Sequence, residues 1–182
     1  PAYKNGKAWH EGKFYRGFRN DPYKRFAWDG REVWEGEYKM GLLNGSRKIY
    51  YDGDNQLYND AQLVDGNLEG KSLAWWENGQ KRWDEVFVDG ELEGEQMYYH
   101  TNGQLQRTGT WHEGEVDGEL KFYSPDGMLS CVRYYRDGNL LGYSYEGTDG
   151  NLVPMKKLDE ASGKMECYFR NGKKSWEGEF AA

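Results

Sequence analysis

Along most of this chain, apolar and polar residues alternate one for one rather than in groups of three and four. In "KRWDEVFV" (residues 81–88), Trp83, Glu85 and Phe87 fall on one side and Arg82, Asp84 and Val86 on the other. That is the two-residue period of a strand, not the period of a helix. "EQMYY" (95–99) reads as a second, shorter strand. Glycines punctuate these runs at regular intervals. Gly6, Gly30, Gly53, Gly79, Gly103, Gly127, Gly150 and Gly172 each follow an Asn or Asp. A second set reads Gly-x-apolar-x-Gly and begins at Gly41, Gly66, Gly90, Gly114 and Gly138. Both sets recur about every 24 residues, so the chain is one small unit copied many times.

Asn-Gly and Asp-Gly between strand-like runs are strong hairpin signals, because a type I′ turn needs positive φ at both central residues. One unit therefore reads as strand, Gly-x-apolar-x-Gly turn, strand, Asx-Gly turn. The predicted fold is all-β: an elongated single-sheet antiparallel meander of about seven stacked β-hairpin repeats. At ~4.8 Å between strands, fourteen strands extend roughly 65 Å. A lone hairpin cannot bury its face, so neighbouring copies must stabilise one another. Residues 1–182 form one repeat domain in this reading, with a divergent basic repeat over 1–29, regular repeats over 30–150 and divergent repeats over 151–182. "KFYRGFRNDPYKRF" lacks the Gly-x-apolar-x-Gly turn. In "LVPMKKLDEASGK", Pro154 cannot donate to a ladder, and Asp159 to Gly163 replaces the glycine turn. Both read as caps.

Composition changes the picture in two ways. Leu, Ile, Val and Phe make up under a fifth of the residues, but aromatic residues reach 16%. The core is thus expected to be aromatic rather than aliphatic. Net charge is -7, unevenly spread: residues 1–28 hold seven Lys/Arg against two acids, and the remainder is acidic. An acidic body disfavours nucleic acid and anionic membranes as partners. No apolar run approaches the ~20 residues of a membrane-spanning helix. The chain begins at Pro1 rather than Met and its final "EGEFAA" stops partway through the motif, which suggests a removed leader or trimmed ends.

"YYHTNGQL" (98–105), "VDGELEGEQMYY" (88–99), "REVWEGEY" (31–38) and "KSWEGEF" (174–180) together resemble the MORN repeat, and more closely the MORN-variant repeat common in bacteria. The resemblance is strongest from Gly30 to Gly142. It implies a β-hairpin repeat fold with no catalytic residues. Members of that family include antitoxins, or immunity proteins, encoded beside a secreted toxin, and scaffolds that contact proteins or lipids.

Candidate chemistry is sparse. "GNLEGKS" (66–72) is one residue short of a phosphate-binding loop, and the repeat already explains its glycines. His10, His100 and His112 have no ligand at metal spacing and read as surface strand residues. Cys131 and Cys167 fall three strands apart in a continuous meander, roughly 14 Å, beyond the reach of a disulfide. Two free thiols suit a reducing bacterial cytoplasm, the expected location. No catalytic, metal or cofactor-binding residues are assigned.

Two candidate partner-binding sets remain. Asp65, Asp89 and Glu113, with Asp137, precede the first glycine of successive turns, and Glu69, Glu93 and Asp117 precede the second. The first set follows from turn chemistry; no turn rule requires the second, and together they form an acidic stripe. Trp75-Trp76 and Tyr98-Tyr99, like Tyr50-Tyr51 and Phe122-Tyr123, place one ring on each face of the sheet. Exposed Trp and Tyr are typical contact anchors. The expected function is a non-enzymatic module binding a protein, and by the resemblance an antitoxin that blocks a basic toxin domain. The alternatives are a carbohydrate or cell-wall module, through likeness to choline-binding repeats whose Thr-Gly-Trp element is missing here, and then a lipid-contacting scaffold.

Overall fold

The computed structural model describes residues 2–53, 55–158 and 163–179. It is all-β and antiparallel, with no helix among the described residues. The chain divides into two compact units, residues 1–91 and 92–182.

In the first unit, β1 (His10–Tyr15), β2 (Phe18–Phe26), β3 (Glu32–Lys39), β4 (Leu42–Tyr50), β5 (Leu57–Val64), β6 (Asn67–Trp75) and β7 (Lys81–Val88) pair in chain order, each antiparallel to the next. The two-residue β8 (Glu91–Leu92) lies where the two units meet in the chain. In the second unit, β9 (Gly94–Tyr99), β10 (Leu105–His112), β11 (Glu115–Tyr123), β12 (Leu129–Arg136) and β13 (Asn139–Ser144) form a meander of the same kind, ending on the two-residue β14 (Lys156–Lys157).

The two kinds of turn differ from the expectation. Type I′ geometry belongs to the start of the Gly-x-apolar-x-Gly element: Asp89 and Gly90 have φ of 53° and 89°, and Asp65-Gly66, Glu113-Gly114 and Asp137-Gly138 match them. At the Asx-Gly ends only the glycine is left-handed, except in the longer turn at Asp52-Gly53, where Asn55 has φ 61°. Gly79, at φ 81°, follows a type I turn in which Gly79 N–H donates to Trp76 O (2.9 Å) and Gln80 N–H to Asn78 Oδ1 (3.1 Å). The Asn side chain thus props the turn, and the extra residue appears as a register shift after Ala74. The first hairpin is also more regular than its sequence suggests. Arg16 and Gly17 make the same left-handed pair, and Asp21, at φ 68°, takes the place of the missing second glycine. Asp tolerates that region better than most residues.

One face of the first unit's sheet holds its buried residues, Tyr23, Asn59, Ala61, Leu63, Ser72 and Ala74. Small side chains are buried here because large ones lie across them. The amide of Asn59 closes a polar link, accepting from Arg47 Nη2 (2.7 Å) and donating to Leu73 O (2.9 Å). The opposite face alternates in charge across strands, Lys24, Glu35, Lys48 and Asp60 being register neighbours.

The last hairpin leaves the meander. β15 (Lys164–Tyr168) and β16 (Lys174–Glu179) form their own two-stranded sheet and pack against β12 and β13. β14 is short, and Pro154 just before it donates no backbone bond to prolong the ladder. The proposed turn from Asp159 lies largely outside the described residues, which resume at Gly163. This return corrects the cysteine reading. Cys131 and Cys167 are paired in a disulfide, their Cα atoms 5.6 Å apart. The estimate of three strands assumed a sheet that the chain instead folds back upon. Free thiols therefore no longer support a reducing compartment. The pair sits with Met165 and Tyr143 in a buried cluster ringed by Phe122, Tyr145, Leu158 and Trp176.

Candidate functional site

The acidic turn residues have a structural role that sequence rules did not supply. Glu69 Oε2 accepts the N–H of Asp89 (2.9 Å), Glu93 Oε2 that of Glu113 (3.1 Å), and Asp117 Oδ1 that of Asp137 (3.4 Å). Each bond reaches 20 residues ahead, to the first left-handed position of the next turn. Asn44 stands at the same place one repeat earlier and donates to Asp65 Oδ1 (2.7 Å). Backbone bonds run beside them: Gly66 N–H to Leu43 O, Gly90 N–H to Leu68 O, and Gly114 N–H to Leu92 O. The carboxylates therefore staple each turn to its successor while staying at the surface. Asp65, Asp89 and Glu113 are exposed, Glu69 and Glu93 half-buried.

Glu93 also takes His112 Nδ1 at 3.2 Å. The Glu113 N–H, then His112, hold the Glu93 carboxyl below its usual range. The same hydrogen bond to Glu93 raises the His112 pKa above its ordinary value. His100 Nε2 lies 2.9 Å from the Tyr123 carbonyl oxygen, and His10 stacks on Tyr23. No group of three or more His, Cys, Asp or Glu is placed to hold a metal ion among the described residues.

Trp75, Trp76, Tyr98 and Tyr99 are all half-buried. The Trp75 carbonyl receives Tyr51 Oη (2.9 Å), Arg82 lies 4.3 Å over the Trp76 ring, Arg107 lies 3.9 Å over Tyr98, and Tyr99 Oη meets Met97 Sδ. The Trp76 and Tyr98 rings thus hold arginines of the adjacent strands by cation–π contact, while the Tyr99 contact lies within its own strand.

A concavity in the first unit has no counterpart among the residues singled out from the sequence. On the buried-residue face of the first unit, Tyr23 of β2 lies between Gly12 of β1 and Gly36 of β3 in register. With no side chain on either neighbour, the face sinks there, and Tyr23 is 5% exposed. A Cβ at Gly36 would overlap the Trp34 ring, which folds across it, and one at Gly12 would overlap Tyr23 itself. One register step away, Arg25 sits between His10 and Trp34. Arg19 covers the floor, its guanidinium 4.4 Å over Tyr23 and 5.5 Å over Tyr38. Trp9, His10, Arg19, Tyr23, Arg25, Trp34 and Tyr38 enclose a groove of about 470 Å³. That volume lies within the range of ligand clefts. Its signal in the sequence is the run of basic and aromatic residues near the start, legible as a site only once the register brings three strands together.

Residues 92–113 match the family model described as MORN repeat variant. This stretch holds Glu93, Tyr98, Tyr99, the Asn102-Gly103 turn and Glu113, which are the parts of the stapled unit described above. No curated protein matches the chain. The chain is a repeat module, one stretch of which is similar to the MORN repeat variant, and the turn geometry of that stretch recurs on both sides of it.

Proposed function

We propose that this chain is a non-enzymatic protein-binding module and, as its resemblance to bacterial MORN-variant antitoxins implies, an immunity protein that neutralises a toxin by binding it. The carrying observation is the set of fixed turn carboxylates. Glu69, Glu93 and Asp117 are each held by a backbone N–H, with Asp65, Asp89, Glu113 and Asp137 exposed beside them. Charges positioned before binding lose little side-chain freedom on association. A negative row also speeds encounter with a basic partner and orients it. A toxin that grips nucleic acid carries such a basic surface.

Because the same carboxylates hold the turns, a test must separate charge from fold. Gln and Asn keep an acceptor oxygen and lose the charge. The triple variant Glu69→Gln, Glu93→Gln, Asp117→Asn is expected to stay folded, its unfolding midpoint lowered only slightly by loss of the exposed Glu93–His112 ion pair. It should lose about tenfold in affinity for a toxin encoded beside this gene, and with it the rescue of growth on co-expression. Unchanged affinity and rescue would remove the acidic row from the mechanism. A neighbouring gene product that is neither toxic nor bound would remove the antitoxin reading itself.

A further inference from the structure

We propose that the aromatic–arginine groove of the first unit docks an acidic segment of a partner protein. The inference rests on the protein-binding reading but uses a different surface, and opposite charge, from the turn carboxylates.

The charge of the groove is uncompensated. Seven residues line it, two of them arginines and none a carboxylate. Among the described residues neither Arg19 nor Arg25 has a carboxylate within ion-pair distance, whereas Lys24, on the other face of the same strand, reaches Glu32 at 2.8 Å and Glu35 at 3.3 Å. The chain thus neutralises one face of β2 and leaves the other positive. A guanidinium stacked on rings keeps its N–H edge for an anion, and a carboxylate takes that edge in bidentate fashion. Arg19 is poised in this way over Tyr23 and Tyr38: one Nη1–H makes a long bond to Tyr38 Oη (3.5 Å), and the other N–H groups are left for an anion.

Two observations favour a polypeptide as the carrier of the acid. Trp, Tyr and Arg are the residues that dominate protein-docking energy, and they make up six of the seven lining residues. The second unit also shows what a face of this kind accepts. There Arg133 is sandwiched between the rings of Phe122 and Trp176, each 4.6 Å away, and Trp176 comes from a separate hairpin laid on the sheet. The floor residues of the groove present the same elements, a guanidinium over a ring, with no hairpin upon them among the described residues.

The test uses the full chain and a fluorescein-labelled random copolymer of Glu and Tyr, read by anisotropy. Wild-type protein should bind it, and binding should weaken as salt rises. The double variant Arg19→Glu, Arg25→Glu, both positions being exposed, should weaken it by about tenfold or more with an unchanged circular dichroism spectrum and unfolding midpoint. Trp9→Ala, which removes a ring without altering charge, should weaken it less. The charge-matched control Lys157→Glu, Lys173→Glu should bind as wild type. Absence of copolymer binding, equal affinity in the Arg19→Glu, Arg25→Glu variant, or tighter binding of oligo-dT or heparin than of the copolymer would each overturn the proposal. The antitoxin reading fails separately. Toxin neutralisation lost in the charge-only turn variant, with a groove that binds no acidic polymer, would leave that reading standing without this site.

Discussion

The sheet face around β11–β13 in the second unit and the face around β1–β3 in the first are built from the same parts and finished differently. Both lay guanidiniums across rings, and each has a tryptophan folded over a glycine two residues on, Trp34 over Gly36 within the sheet and Trp176 over Gly178 in the covering hairpin. In the second unit the chain's own last hairpin closes over these groups, and its Met165 and Cys167 reach 0% exposure against the sheet. In the first unit Trp9 remains 47% exposed, and Arg19 and Arg25 look outward. A single-layer sheet buries little on its own, so where a second layer is added the repeat gains a true core, and where none is added the same chemistry is left available. The same building rule thus yields stability at one place and a candidate docking surface at another.

The largest effect should come from undoing the closed face. Reducing the Cys131–Cys167 pair, or replacing Cys167 with Ala, removes a cross-link over 36 residues and is expected to cost about 2–5 kcal/mol. Urea unfolding of the second unit with and without reductant measures it. First-unit probes, such as Trp34 fluorescence in a variant lacking the other tryptophans, should not move. An equal loss in both units would break the comparison.

A smaller effect separates the shared part from the difference. Gly36→Ala and Gly178→Ala each place a methyl against the ring of a tryptophan two residues earlier, Trp34 and Trp176. Overpacking of this kind costs about 1–3 kcal/mol. The cost should be lower for Gly36, because Trp34 has an open groove into which it can swing and Leu43, the other close group, meets the methyl with the end of a flexible side chain, whereas Trp176 is held against Arg133. Paired denaturation curves decide the order.

The smallest expected effect concerns the staples. His112 bonded to Glu93 should titrate above its ordinary value near 6.5, and Glu93→Gln should return it toward that value, as followed by NMR. The sign follows from linkage. The folded pKa is the higher one, so the stabilisation is fully present below the unfolded-state pKa and is lost as pH rises through the raised value. Glu93 behaves in the opposite sense: its folded pKa is lowered, so its contribution holds above the unfolded value and is lost as pH falls through the lowered one.

Much of the fold was legible because its rules are local. Alternation in "KRWDEVFV" became β7, and the recurring glycines became turns. The turn types were interchanged because Asn-Gly and Asp-Gly satisfy both a type I′ turn and a type I turn with a left-handed glycine; whether Asn78 also turns left-handed depends on the strands that flank it. The acids at Glu69, Glu93 and Asp117 were visible, but their bonds were not, since each partner lies in the following repeat. The groove needed still more. Gly12, Tyr23 and Gly36 are unrelated in sequence until two registers align them.

Periodicity and turn-forming residues by themselves determined the class of this protein: short strands, joined antiparallel, repeated along the chain. They did so because strand alternation and left-handed backbone are properties of a few adjacent residues. Only the tertiary structure decided that the final hairpin turns back onto the sheet, that Cys131 meets Cys167, and that Arg19 and Arg25 share a glycine-floored groove. Each of those depends on which distant surfaces find a better partner in each other than in water, a balance that no local pattern carries.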